Sequence, residues 1–241
     1  MAQISVLLKN GGKFVRAQWQ RKASYRRAIF LLSFLAFIAQ PIWAQTWDRE
    51  FWLDQRFSIR ISPESFLLLR LSEKASENIS HLFETFVEMN VGFHVQPWLT
   101  VMPGFIHFRF DPFSEGSRFE NRPQLAVQVH TRRDRWRPNL RAAVEGRFPQ
   151  GDSAFTRFLL TPGVEYALSS YRDRPVVLWL TNEFAFDSRS DRFSRNRFQA
   201  GVSLPASERF SVLPYYLIES NRLPGLLDNN NILGLSLWWR F

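Results

Sequence analysis

The chain has 241 residues, 45% of them hydrophobic and 16% aromatic, and no cysteine, which excludes disulfides, zinc–thiolate centres and a thiol nucleophile. Its formal charge of +9 is concentrated at one end, because residues 1–44 hold seven of the 31 basic residues and no acidic one. The 24 basic and 22 acidic residues that remain are close to balance, and with no nucleic-acid motif present they give no footing for a nucleic-acid partner.

The first element in chain order explains the charge. Residues 28–39 read AIFLLSFLAFIA, preceded by Arg26-Arg27 and followed by Gln40-Pro41-Ile42-Trp43-Ala44. A basic flank, a short apolar run and a small residue after a helix breaker form a secretory signal. The run falls short of the roughly 20 apolar residues a transmembrane helix needs. Cleavage after Ala44 is expected, giving a signal peptide at 1–44 and a single mature domain at 45–241.

Beyond Ala44 the apolar residues recur at every second position, the period of a strand. Phe83, Thr85, Val87, Met89, Val91, Phe93 and Val95 alternate with Glu84, Glu88, Asn90 and His94. Further on, Leu140, Ala142, Val144, Gly146 and Phe148 alternate with Arg141, Ala143, Glu145 and Arg147, and Phe198, Ala200, Val202 and Leu204 with Arg197, Gln199 and Ser203. In order, the strand segments are 50–61, 66–72, 81–95, 99–110, 121–131, 139–148, 155–168, 175–186, 195–204, 210–220 and 230–241. Several reach the 9–11 residues of a tilted membrane strand.

Rings cluster at turns: Trp98, Trp136 and Tyr171 sit where an interfacial girdle would place them. The chain closes with NNILGLSLWWRF, where Leu233, Leu235, Leu237, Trp239 and Phe241 share one face up to the last residue. Leu237, Trp239 and Phe241 resemble the terminal signal read by the outer-membrane assembly machinery. The expected fold is all-β, a closed antiparallel transmembrane β-barrel in the outer membrane of a Gram-negative cell, exported by its signal peptide. Eleven segments conflict with the even counts of bacterial single-chain barrels, so ten or twelve strands are expected. Connections at 111–119, 187–194 and 221–228 read as the longer, outer ones, against short ones at Ser62-Pro63, Gln96-Pro97 and Pro205-Ala206.

Laid out this way, the chain resembles the uncharacterised outer-membrane family known as domain of unknown function 2490. The likeness is carried by the order of FWLDQRF around Trp52, FLLLRLSE, ENRPQLAV (120–127), NLRAAVEGRF (139–148), FTRFLLTPGVEY (155–166), WLTNEFAF (179–186), NRFQAGVSL (196–204) and the closing segment. It implies a membrane barrel and supplies no established activity. Arg122-Pro123 departs from the pattern and puts the pairing of that strand's start in doubt, since proline lacks the donor.

Alternation assigns a set of charges to the lumen: Arg56, Glu84, Glu88, Arg109, Arg141, Glu145, Arg147, Arg157, Glu165, Glu183, Arg197, Glu219 and Arg240. They could pair and fill a narrow barrel, or line a pore that attracts an anionic solute. The function read from the residues is thus a small passive pore or a structural envelope protein. Two alternatives stand beside it, a lipid-acting hydrolase and a surface adhesion barrel. For an enzyme the candidates are few: His81, His94, His107 and His130 share no motif with a serine, and Gly151-Asp152-Ser153 is a short match in a polar turn. No cofactor and no metal site are expected. The expected partners are outer-membrane lipid, lipopolysaccharide and the assembly machinery.

Overall fold

The computed structural model describes residues 50–76, 79–111, 116–171, 174–189, 192–223 and 226–241. The segment 1–44, expected to be a signal peptide, lies outside them. The described residues form eleven strands: β1 (Glu50–Arg60), β2 (Ser65–Ser76), β3 (His81–Gln96), β4 (Leu99–Phe110), β5 (Arg118–His130), β6 (Trp136–Pro149), β7 (Phe155–Tyr171), β8 (Arg174–Asp187), β9 (Arg192–Pro205), β10 (Phe210–Leu223) and β11 (Leu226–Arg240). They close into one barrel in chain order. No described helix is long and apolar enough to cross a membrane.

Every segment read as a strand is one, and the expectation of ten or twelve is corrected to eleven. Each hairpin reverses the chain, so an odd count leaves the first and last strands pointing the same way. The barrel closes accordingly through a parallel pair, with Glu50 opposite Ile232 and Ser58 opposite Arg240, while all other neighbours are antiparallel. The expected loop asymmetry is corrected too. Strands β8 and β9 run to Asp187 and from Arg192, and β10 and β11 to Leu223 and from Leu226, so only the β4–β5 connection remains long at that end. The polar composition of those segments belongs to strand ends whose rows continue the ladder.

The period-two pattern sets the two faces. On β3, Val87, Met89 and Phe93 are exposed on the outside while Glu84, Phe86, Glu88 and Asn90 are buried inside. On β10, Leu213, Tyr215, Leu217 and Glu219 face inward and are buried. Outward-facing polar side chains tend to satisfy one another across strands. His107 Nδ1 meets Asn121 Oδ1 at 2.8 Å, Asn196 Nδ2 donates to Asn182 Oδ1 at 2.8 Å, and the Tyr216 hydroxyl reaches Asn231. Ring pairs lie outside at both rims. At the rim that holds Phe241, called here the C-terminal rim, Phe57 stacks on Trp239 at 4.9 Å, Phe210 lies 5.0 Å from Trp239 and Trp136 sits 4.6 Å from Tyr166. At the opposite rim Phe186 meets Phe193 at 5.5 Å and His107 stacks on Phe119 at 5.7 Å.

Three inward rings lie flat on glycines of the next strand. Tyr215 covers Gly234, Phe66 covers Gly92 and Trp179 covers Gly201, each so closely that a Cβ on the glycine would come within 2.5 Å of ring carbon. Close approach is the reason for glycine at these positions. The doubt over Pro123 is also resolved. It pairs with Phe105 on the β4 side, but the β5–β6 ladder skips from Asn121–Phe148 to Gln124–Glu145, leaving Arg122 and Pro123 out of it.

Candidate functional site

The inward residues divide the lumen into two halves. The half away from the C-terminal rim holds a cavity of about 700 Å³ whose lining reaches no farther toward that rim than Arg56, Leu68, Arg141, Thr161, Thr181 and Gln199. Beyond them come smaller or ring-bearing side chains: Phe66, Met102, Ala126, Trp179, Leu217 and Ile232. Ala126, Leu217 and Ile232 have no accessible surface at all, so water does not reach the inner wall there.

The cavity wall is built of ion pairs held across neighbouring strands. Asp54 on β1, fully buried, takes hydrogen bonds from Arg70 Nε at 2.9 Å and the Tyr215 hydroxyl at 3.0 Å, with Arg56 at 3.7 Å. Glu120 takes a two-pronged bond from Arg122, at 2.8 and 3.0 Å, and another from Arg147. The Arg122 guanidinium also lies 3.4 Å over the Phe108 ring. Arg157 grips Asp187 through two bonds of 2.5 and 2.7 Å. Arg195 reaches Glu183 at 2.8 Å, and Arg197 contacts Glu219. Lys74 contacts Glu84, and its ammonium stands 4.0 Å from the Trp52 ring, which also receives Arg197 at 5.1 Å. Planar, forked guanidinium groups suit this two-pronged pairing in a way lysine does not.

Signs nearly cancel. Nine basic and seven acidic residues line the cavity, and Asp54 and Glu120 stand behind them as two further carboxylates. A wall neutralised by its own pairs attracts an anion far less than a count of arginines suggests. Arg141 is the exception, since its single hydrogen bond among the described residues goes to Gln124 Oε1 at 3.2 Å.

Of the residues assigned to the lumen from the sequence, the register places Arg56, Glu84, Glu88, Arg141, Glu145, Arg147, Arg157, Glu183, Arg197 and Glu219 on the cavity wall. Glu165 and Arg240 have inward parity but sit at the C-terminal rim, outside the cavity: Glu165 lies 3.9 Å from Arg137, and Arg240 donates to Ser211 Oγ at 3.2 Å beside Trp238. Arg109 is a correction. It faces outward on β4, paired with Asp111 at 3.2 Å, because Thr100, Met102, Ile106 and Phe108 hold the inward positions. Apolar residues occupy both faces of that strand, so alternation carries no direction there. Leu237, Trp239 and Phe241 follow the outward parity of β11, and Phe241 is bound on both sides of its peptide, its N–H to Ser58 O at 2.8 Å and its carbonyl to Arg60 N at 2.9 Å.

Sequence reasoning missed Asp54, Arg70, Lys74, Glu120, Arg122, Asp187 and Arg195. For most of them the signal was present, as Arg70, Ser72 and Lys74 share one parity; the strand segments were drawn too short to include Lys74, Glu120 and Asp187.

The hydrolase candidates have structural partners instead. His94 Nδ1 meets Thr100 Oγ1 at 3.0 Å, and His107 meets Asn121. In the β6–β7 turn, Arg189 donates to Asp152 at 2.6 Å and to the Ser153 carbonyl, and this hydrogen bond holds the Asp152 carboxyl below the usual carboxylate range. That arginine staples two neighbouring loops together. Among the described residues, no group of three or more His, Asp or Glu is placed to hold a metal ion.

No curated protein and no solved structure matches the chain. Residues 49–230, which run from the start of β1 into β11, match the family described as "Protein of unknown function (DUF2490)". With all eleven strands touched by that match, the chain, itself a closed β-barrel, belongs to this family of proteins of unknown function.

Proposed function

We propose that the protein is an outer-membrane barrel with an occluded lumen, a structural component of the envelope and not an open pore. The outer face supports the membrane setting. Most of its strand positions between the rims are apolar, ring pairs lie at both rims, and self-satisfied polar pairs sit toward the side away from the C-terminal rim. The outward positions on β5 from Phe119 to Val129, apolar but for Asn121, rise roughly 33 Å along the strand, or about 25 Å along the axis at a tilt of about 40°, the height of a barrel's apolar band. The leader at 1–44 and the closing Leu237–Trp239–Phe241 face are consistent with export and assembly there, with the C-terminal rim on the periplasmic side.

Occlusion rests on one observation above all, the zero exposure of Ala126, Leu217 and Ile232 inside the barrel next to the cavity's inner end. Planar-bilayer recording of the refolded mature chain is the test. A folded barrel, shown by different migration boiled and unboiled, is expected to give no steady current steps, whereas the double variant Phe66→Ala/Trp179→Ala should conduct. Reproducible steps from the unaltered protein would sink the occluded reading in favour of a pore. A second expectation follows from the bonded terminal residue: deleting Phe241 should sharply lower the yield of the heat-modifiable form in cells, and an unchanged yield would count against Phe241 as an assembly signal.

A further inference from the structure

The tip between β5 and β6 carries Arg132, Arg133, Arg135 and Arg137 within six residues, opposed in that stretch by Asp134 alone. The tip is held in one shape. Arg133 and Trp136 exchange backbone hydrogen bonds of 2.9 Å, Asp134 takes the left-handed φ of 53°, and Ala167 N donates to Arg135 O at 2.9 Å, which ties the turn to β7. Arg132, Arg133 and Arg135 are exposed and make no ion pair with a described residue, and Arg137 has only the loose 3.9 Å contact to Glu165. This differs from the lumen, where nearly every guanidinium has a carboxylate.

Immediately beside these charges, Trp136 is exposed on the outer face and packs on Tyr166. An indole–phenol pair of this kind settles at headgroup level. Only a surface that is apolar below and anionic above satisfies both halves of the tip.

Resting on the membrane reading above, we propose that the β5–β6 tip binds the phosphates of anionic phospholipids in the leaflet at the C-terminal rim. The guanidiniums fork to phosphate oxygens while Trp136 and Tyr166 seat at the boundary of the acyl region. Fixed turn geometry means that little order is lost on binding, so the site acts as a preformed clamp.

Quenching of tryptophan fluorescence by brominated lipid tests this. The protein is refolded into phosphatidylcholine vesicles in which either a fraction of phosphatidylglycerol or an equal fraction of phosphatidylcholine carries bromine. Phosphatidylglycerol is expected to associate at least about threefold more strongly than phosphatidylcholine, falling toward equality in 0.5 M salt. The variant Arg132→Ala/Arg133→Ala/Arg135→Ala, which keeps Trp136, should lose the preference while still folding. Equal quenching by the two lipids in the unaltered protein, or an unchanged preference in the triple variant, overturns the proposal while leaving the barrel in its membrane. A chain that yields no heat-modifiable band in vesicles would instead remove the membrane reading and this site with it.

Discussion

Replacing Asp54 by alanine is expected to cost the barrel about 3–5 kcal/mol, the largest loss from any single lumenal side chain, because it strands charge inside the wall. Asp54 has no accessible surface and receives Arg70, Arg56 and Tyr215 together. Without it, two guanidiniums face each other across the β1–β2 pair with their common counter-charge gone. Urea unfolding from vesicles measures the effect. Replacing Arg56 by methionine in the same chain should recover part of the loss, since Arg70 keeps Glu88 at 3.5 Å while Arg56 loses the carboxylate it pairs with. A loss below about 1 kcal/mol would show that water enters this part of the lumen and solvates the arginines.

The second large effect is expected at Gly234. A Cβ there would sit 2.0 Å from Tyr215 Cζ, so Gly234→Val must drive the ring off the wall. The ring is not free to swing, because its hydroxyl is tied to Asp54 and Trp179 packs 5.9 Å away. Overpacking together with the broken bond to a carboxylate should destabilise by about 3 kcal/mol and lower the near-ultraviolet circular dichroism of the aromatic groups. Gly146→Ala is the contrast. Its nearest neighbour is the Phe148 ring at 3.1 Å, an exposed side chain that can turn aside, so its cost should stay under about 1 kcal/mol. Equal losses at the two sites would mean that the Tyr215 ring does not press on Gly234.

The barrel was legible in the sequence because strands buried on one side only declare themselves by parity. Leu140 to Phe148 and Phe83 to Val95 are unambiguous, and each is a strand with the apolar side outward. Where parity is weak, the reading failed: on β4 the segment VMPGFIHFRF is apolar on both sides, and Arg109 was placed on the wrong face. Parity also says nothing of which charges meet. Asp54 and Tyr215 are 161 residues apart in sequence and bonded in space, a contact fixed by the stagger of the closed sheet. Composition shows the near balance of 24 basic and 22 acidic residues, but not which arginine meets which carboxylate. Neutrality of the wall depends on pairings between strands, and the pore reading drew its force from counting arginines without them.

Closure through a parallel pair has a topological outcome. An even number of crossings returns both ends of a barrel to the compartment it entered from, but here Glu50 and Phe241 stand at opposite rims. In a bilayer, epitopes placed just before Glu50 and just after Phe241 would be reached by antibodies from different sides. On the membrane reading proposed above, the first strand would therefore deliver its leading end across the bilayer to complete the seam.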